Sequence, residues 1–268
     1  MPEPQIPQFP KRMPEKYRVE FTTSCYEKDW ELILKTNRLQ RMIAACNYEF
    51  KKKTLYINNV KNFDKVACAA ELHKKNGIID DYIRVDQYAE EAMKFFKIQK
   101  GPGYYYLIQF LITVYLGSCD YLLNFSGDSI LVNDEEWIDT AIEKMQQNKR
   151  IIVANALYDG NFKQAMRESF KVDDHFYMSF GFSDQCYLIR PEFFKADIYN
   201  EESELSVFYP ERGRGSFEER IYKFMRNHEY YRITHKRAVY RHKNLAKNKL
   251  KIFLALNLGI NRKKYRID

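Results

Sequence analysis

A single acidic residue, Asp128, follows a hydrophobic stretch that has the pattern of a buried strand. The segment 119–125 is mostly apolar, and it leads into Ser126, Gly127 and Asp128 before a second apolar segment begins. In open α/β sheets, ligands bind beyond the carboxyl ends of the strands. A carboxylate here is therefore a candidate site residue. The alternative is that Asp128 only opens a turn after a strand.

Hydroxyl-bearing residues follow an earlier predicted strand. Residues 17–21 alternate in polarity and end at Thr22, Thr23 and Ser24, which predicts a strand whose end presents hydroxyls and free backbone NH groups. A nucleotide base or ribose could bind there. A polar loop that caps the next helix would have the same composition, because Ser and Thr are frequent helix caps.

Helix and strand patterns alternate through the first half of the chain. Apolar residues at three- and four-residue spacing predict one or two helices over 29–50. A second strand is predicted over 53–59, a helix over 63–75 and a third strand over 81–85. This alternation is typical of a parallel, right-handed α/β half.

The second half of the chain mixes helices with shorter strands. A helix beginning with acids at residue 134 is predicted, followed by a strand over 150–155 and short strands joined around 183–185. Ser216 and Glu219 have the spacing of a capping box, which predicts a helix from there to about residue 228. We divide the predicted domain, 17–242, into a first half, 17–133, and a second half, 134–242.

Composition indicates one globular domain with a basic surface. The 268 residues are 45% hydrophobic, and the net charge of +8 favours an anionic partner: a nucleic acid, a phosphorylated small molecule or an acidic membrane. The five cysteines form no CxxC pair and lie in hydrophobic runs, which predicts buried, reduced thiols, a cytoplasmic location and no zinc site.

The two ends of the chain differ from its centre. Residues 1–16 are rich in proline and lack the apolar core of a signal peptide, which predicts an extended arm. Residues 243–268 set apolar residues among lysines and arginines, as in an amphipathic basic helix. Such a helix could lie in a membrane interface and make the protein peripheral to a membrane, or it could pack on its own domain.

The order of these elements resembles the glycosyltransferases with the GT-A fold, in which an Asp-x-Asp motif ends a hydrophobic strand. The resemblance covers residues 17–242 and implies a single-domain α/β fold with a mixed, mostly parallel sheet. In that family the two acids hold a divalent cation that bridges the diphosphate of a sugar nucleotide. Asp128 matches the second acid, whereas Ser126 replaces the first. Mn²⁺ or Mg²⁺ is the implied cofactor, since Mg²⁺ keeps several waters and one carboxylate can suffice.

The resemblance implies further site residues in the second half. Asp184, in an acidic loop, and Glu218, at a helix start, are the candidate bases that would deprotonate an acceptor hydroxyl. Glu219 is the less suitable acid there because it belongs to the capping box. His242 has the position of a histidine that completes the metal or diphosphate site, although a lone histidine is more often a surface or core residue.

Donor contacts are implied at the ends of the first strands and at the motif. They are Thr22, Thr23, Ser24, Asn58, Lys100, Ser126, Gly127 and Asp128. Basic residues such as Arg241, Lys243, Arg212 and Arg214 could neutralise a leaving diphosphate.

The resemblance thus implies an inverting, metal-assisted hexosyl- or pentosyltransferase. The donor would be a nucleoside diphosphate sugar and the acceptor a glycan or a lipid-linked sugar. A nucleic-acid-binding protein remains an alternative because of the charge and the aromatic content, but no helix-turn-helix, zinc or RNP signature is present, and nucleic acid is not predicted as a partner. A nucleotidyltransferase shares the α/β plan, and a catalytically inactive relative could serve as a binding scaffold, so both of these functions also stay open.

Overall fold

A computed structural model describes residues 17–101, 104–133, 135–208 and 216–242 of the chain. The predicted arm at 1–16 and the predicted basic helix at 243–268 lie outside the described residues. So do Arg212, Arg214 and Lys243.

One sheet runs through the described part of the chain. Its ten strands are β1 Val19–Cys25, β2 Lys52–Ile57, β3 Asp81–Arg84, β4 Tyr121–Phe125, β5 Ser129–Leu131, β6 Ile151–Tyr158, β7 Lys171–Val172, β8 Phe176–Ser179, β9 Cys186–Ile189 and β10 Tyr231–His242.

Helices connect these strands. They are α1 Trp30–Leu34, α2 Arg38–Ala44, α3 Phe63–Lys75, α4 Ala89–Phe95, α5 Tyr104–Leu116, α6 Ile138–Gln147, α7 Phe162–Glu168, α8 Pro191–Phe194 and α9 Phe217–His228, with short 3-10 turns at Val85–Tyr88 and Glu204–Phe208.

The strand order is β3-β2-β1-β4-β9-β6-β10-β8-β7, and β5 pairs with β10. The strands β3, β2, β1 and β4 are all parallel to their neighbours within this group, as the alternating pattern of the first half predicts. In the second half β9 is antiparallel to both β4 and β6, while β6 and β10 are parallel. The predicted mixed α/β fold is confirmed.

Apolar side chains cover both faces of this sheet. On one face α6 packs through Ala141, Ile142 and Met145, in a cluster that also contains Phe21 and Leu123. On the other face α5 and α9 contribute to a second cluster with Leu122 and Ile189. Successive residues of β4 thus serve opposite layers, because side chains alternate along a strand.

Several predicted element boundaries are wrong. β1 extends to Cys25, so that Thr22 and Thr23 are buried inside the strand and do not belong to a loop. α6 begins at Ile138 rather than at residue 134. The residues before it contact β10 instead, because Asn133 hydrogen-bonds to the backbone of Arg237 and Val239 and Glu135 forms an ion pair with Arg237.

The last strand of the described part of the chain, β10, is continuous but irregular. A bulge lies between Thr234 and Val239, where the pairing with β6 changes register. Within it, Nδ1 of His235 accepts hydrogen bonds from the backbone NH groups of Ala238, at 2.9 Å, and Arg237, at 3.3 Å. A bulge leaves backbone groups without partners in the neighbouring strand, and these two contacts satisfy the NH groups of Arg237 and Ala238.

The cysteine prediction is only partly right. Four of the five thiols are buried, but Cys68 is exposed on α3. None of the helices in the described ranges has both the length and the apolar character needed to cross a bilayer.

Candidate functional site

A tight turn between β4 and β5 carries the Ser126-Gly127-Asp128 motif. The turn is closed by the NH of Ser129, which donates to the carbonyl oxygen of Ser126 at 2.8 Å. Oγ of Ser126 donates to Oδ1 of Asp128 at 3.0 Å. The hydroxyl of Ser126 therefore helps to hold the carboxylate of Asp128 in place.

Gly127 is required by the close approach of this turn to the end of β1. A Cβ atom at position 127 would lie 2.2 Å from the carbonyl oxygen of Ser24 and 2.6 Å from Cδ1 of Ile33. Neither distance is possible for a real side chain. The register of β1 with β4, in which Thr23 lies beside Phe125, brings Ser24 next to the motif.

Two ionisable side chains close to the turn, Arg38 and Asp29, are buried. Nε of Arg38 donates to the carbonyl oxygen of Gly127 at 3.1 Å, and Arg38 is only 2% exposed. The buried carboxylate of Asp29 accepts a hydrogen bond from the NH of Tyr26 at 2.8 Å. Burial raises the pKa of Asp29, and the charge of Arg38 opposes this. Asp29 and Arg38 were not among the predicted site residues, because no motif surrounds them.

His242 lies beside Asp128 although 114 residues separate them in the sequence. It ends β10, where its Cα is paired with that of Ser129 on β5. Nε2 of His242 is 3.0 Å from Oδ2 of Asp128, and the two side chains are 24% and 17% exposed. The hydrogen bond with Asp128 raises the pKa of His242, and burial opposes this rise. Asp128 is therefore held from both sides.

Asp184 and Glu218 are joined by a hydrogen bond but face different surroundings. Oε1 of Glu218 accepts a hydrogen bond from the NH of Asp184 at 2.8 Å. Asp184 lines the same cavity as Asp128, whereas Glu218 does not line it. The concave surroundings of Asp184 desolvate its carboxyl group and raise its pKa, while His242 lowers it, although the side chain stays open to the cavity.

The helix that carries Glu218 begins as predicted. Oγ of Ser216 accepts a hydrogen bond from the NH of Glu219 at 3.2 Å, and Glu219 is buried. The capping interaction fixes the first turn of α9 and with it the position of Glu218. Glu219 has a structural position, and Glu218 holds the Asp184 loop.

A cavity of about 830 Å³ opens at the carboxyl ends of the parallel strands. This volume is in the range of small-molecule and cofactor sites. Basic and aromatic side chains also line it, namely Lys28, Lys61, Tyr26 and Tyr105. Predicted residues that line the cavity are Ser24, Asn58, Ser126, Gly127, Asp128, Asp184 and His242.

Other predicted donor residues lie away from the cavity. Oγ1 of Thr22 donates to Oδ1 of Asn124 at 3.1 Å inside the sheet, and Thr23 is fully buried. Their proposed donor contacts are therefore wrong, because neither side chain reaches the cavity. Lys100 is exposed with its ammonium 4.7 Å from the centre of the Tyr104 ring, and it is not part of the cavity wall. Arg241 is paired with Asp159.

The side chains of Asp128 and His242 are of types that bind divalent cations. A carboxylate oxygen and an imidazole nitrogen are both ligands of Mn²⁺, and the two side chains meet at the cavity wall. Within the described ranges, no cluster of three or more acidic, histidine or cysteine side chains could hold a metal. Two protein ligands would leave the remaining positions to water and to phosphate oxygens.

Comparison with known proteins identifies the fold. No protein-family model matches the chain, and no curated protein matches its sequence. Solved structures do match. GalNAc-T7 with UDP, GalNAc and Mn²⁺ gives a TM-score of 0.52 at 10% identity, over 84% of this chain and 44% of that chain. The mannosyltransferase PcManGT from Pyrobaculum calidifontis, in complex with GDP-Man and Mn²⁺, gives 0.50 at 9% identity, over 95% and 66%.

These likenesses define the class of fold. The chain has the fold of nucleotide-sugar glycosyltransferases of the GT-A type, as the resemblance of its motif order implies. It spans less than two thirds of the length of either matched chain. At such low identity the likeness concerns the fold alone.

Proposed function

We propose that this protein is a glycosyltransferase that moves a sugar from a nucleoside diphosphate donor to an acceptor hydroxyl. The observation that carries the proposal is Asp128, held by Ser126 and His242 in the wall of a cavity at the carboxyl edge of the sheet. That edge is where open α/β sheets bind their ligands. GalNAc-T7 and PcManGT, which share the fold, were solved with UDP and GDP-Man respectively, each with Mn²⁺.

In this proposal the cavity wall would bind the donor from several sides. Ser24 and Asn58, at the ends of β1 and β2, would contact the nucleoside, and Tyr26 or Tyr105 could contact the base. Lys28 and Lys61 would balance the charge of the diphosphate. Asp128 and His242 would hold a divalent cation, which would neutralise charge on the leaving diphosphate.

Asp184 is the proposed general base of an inverting reaction. Its carboxylate would take the proton of the acceptor hydroxyl while that oxygen attacks the anomeric carbon and the bond to the diphosphate breaks. The raised pKa of Asp184 makes its carboxylate a stronger base than an ordinary one. Glu218 would keep the Asp184 loop in position through the backbone hydrogen bond.

The acceptor is proposed to be a glycan or a lipid-linked sugar, and the location cytoplasmic, with contact to a membrane. A second candidate function is a catalytically inactive binding scaffold. It is favoured by Ser126 in place of an acid and by the lack of a three-residue metal cluster in the described ranges. A scaffold of this kind would bind donor without transferring the sugar.

Thermal-shift screening tests the proposal. UDP- and GDP-sugars, with and without Mn²⁺, are compared with short oligonucleotides on the same protein. Ligand at 100 times its Kd should raise the Tm by about 5–10 °C. Stabilisation by a sugar nucleotide, together with release of nucleoside diphosphate when acceptor is added, supports the transferase. Stabilisation without release supports the scaffold, and stabilisation by oligonucleotides alone rules out both.

A further inference from the structure

Exposed apolar side chains are concentrated in one short segment, residues 158–172. Nine large hydrophobic side chains are exposed in the described part of the chain, and five of them lie in this segment, at 43–56% exposure. They are Tyr158, Phe162, Met166, Phe170 and Val172. Concentration of such side chains on a folded surface marks an interaction site.

Two of the five side chains have ring partners within the fold, Tyr158 with Tyr240 and Phe170 with Phe180 and Tyr231. α7 buries none of its seven residues, although a short helix normally depends on packing of an apolar face. Phe162 and Met166 are four residues apart and therefore share one side of α7. β7 follows at the end of the strand order, and both its residues are exposed.

Basic side chains accompany the apolar ones. Lys163, Arg167 and Lys171 are exposed, and no carboxylate within the described ranges forms an ion pair with them. We call the five apolar and three basic side chains the α7–β7 surface.

The acids of the segment do not cancel this charge. Asp159 is paired with Arg241 on β10, and Glu168 with Arg232 on the same strand. The α7–β7 surface therefore combines protruding apolar groups with a net positive charge. Segments that lie in the interface of an anionic membrane have this combination.

We propose that the α7–β7 surface docks on a membrane containing anionic phospholipids. Phe162 and Met166 enter the boundary between headgroups and acyl chains, and the three basic side chains contact the lipid headgroups. The segment starts at the carboxyl end of β6, where Tyr158 is paired with Tyr240, two residues before His242. Docking would thus take place along the sheet edge that carries the cavity.

Vesicle co-sedimentation of the full chain tests this proposal without any sugar nucleotide, so that its outcome is separate from that of the proposed transferase. Phosphatidylcholine vesicles are compared with vesicles that also contain phosphatidylserine. We expect binding to the anionic vesicles only. The double variant Phe162→Ser, Met166→Ser should partition about tenfold less or weaker still, whereas Leu72→Ser, at an equally exposed site on α3, should bind like the wild type.

Charge variants complete the test. Each of Lys163→Gln, Arg167→Gln and Lys171→Gln should weaken vesicle binding about fivefold, while Lys75→Gln on α3 should leave it unchanged. All variants retain residues 243–268, so that equal vesicle binding by every variant would overturn the proposal in favour of the tail. Absence of vesicle binding by the wild type would overturn it as well. The proposal would also be overturned if light scattering shows a dimer that only the apolar double variant disrupts, while that variant still binds vesicles.

Discussion

The two halves of the sheet contribute to the candidate site in different ways. In the first half, parallel strands end at one edge and bring Ser24, Asn58 and the motif turn together, and the turn rests on buried polar contacts. In the second half, Asp184 and His242 reach the same cavity from β9 and β10, through pairings between distant parts of the chain.

The two halves should therefore differ in how substitutions affect stability and activity. The contacts below the motif turn are buried and leave no room for change, as at Arg38 and Gly127. Asp184 and His242 line the cavity, where Glu218 accepts a hydrogen bond from the backbone NH of Asp184 and Asp128 pairs with the side chain of His242. We therefore expect changes in the first half to lower stability, and changes in the second half to lower activity with little loss of stability.

Asp184→Asn should have the largest effect on activity. Loss of a general base lowers the transfer rate about 10²–10⁴-fold, while the Tm should hardly change because the side chain is exposed. Product formation from the sugar nucleotide identified by thermal shift is the measurement. Glu218→Gln is the matched control, since its amide oxygen can still accept from the NH of Asp184. If Glu218→Gln is as inactive as Asp184→Asn, Glu218 is the base.

Arg38→Met should have the largest effect on stability. It removes the buried donor to the carbonyl oxygen of Gly127 and leaves that oxygen without this hydrogen bond, which costs about 3 kcal/mol. Urea unfolding measures the change. Lys35→Met is the control, because its exposed ion pair with Glu31 contributes under about 1 kcal/mol. If both variants lose the same free energy of unfolding, Arg38 does not support the turn.

Gly127→Ala should also destabilise the first half. The added methyl group meets the carbonyl oxygen of Ser24, and overpacking of this kind costs about 1–3 kcal/mol. Thermal unfolding with and without donor shows whether the turn is displaced as well. Gly101→Ala is the matched control, since nothing lies within 4 Å of its added Cβ atom. A Gly127→Ala protein with wild-type Tm and donor binding would contradict the close contact.

The smallest effect concerns acid sensitivity at His235. Burial lowers the pKa of this histidine in the folded protein, and Glu135 opposes the shift. As the pH falls below about 6.5, His235 binds a proton in the unfolded chain before it does so in the folded protein. Protonation therefore favours the unfolded chain, and the free energy of unfolding decreases below that pH. His235→Gln should reduce this pH dependence of urea unfolding. An unchanged slope in His235→Gln would show that another group is responsible.

Much of the first half could be predicted from local patterns. Apolar spacing gives α3 as Phe63–Lys75, and the alternation of elements gives the parallel pairing. The end of β1 could not be predicted in this way. Thr22 and Thr23 look like loop residues, but threonine is β-branched and fits a strand, and Asn124 provides the hydrogen-bond partner inside the sheet.

The residues that support the site could not be predicted from the sequence for a different reason. Arg38 acts through a contact with Gly127, which is far along the chain, and nothing in its sequence neighbours indicates this. The bulge in β10 depends on His235 bonding to NH groups two and three residues later. His242 was found by its position within a resemblance, whereas its pairing with Asp128 results from strand register.

The Mn²⁺ dependence of donor binding in Asp128→Ala tests the central claim most directly. Titration calorimetry of the stabilising sugar nucleotide is run with and without Mn²⁺ on the wild type, on Asp128→Ala and on Asp120→Ala, an exposed aspartate in the same part of the chain. We predict that Mn²⁺ strengthens donor binding to the wild type and to Asp120→Ala but not to Asp128→Ala. If Asp128→Ala keeps the full effect of Mn²⁺, Asp128 is not a metal ligand and the proposed metal site is contradicted.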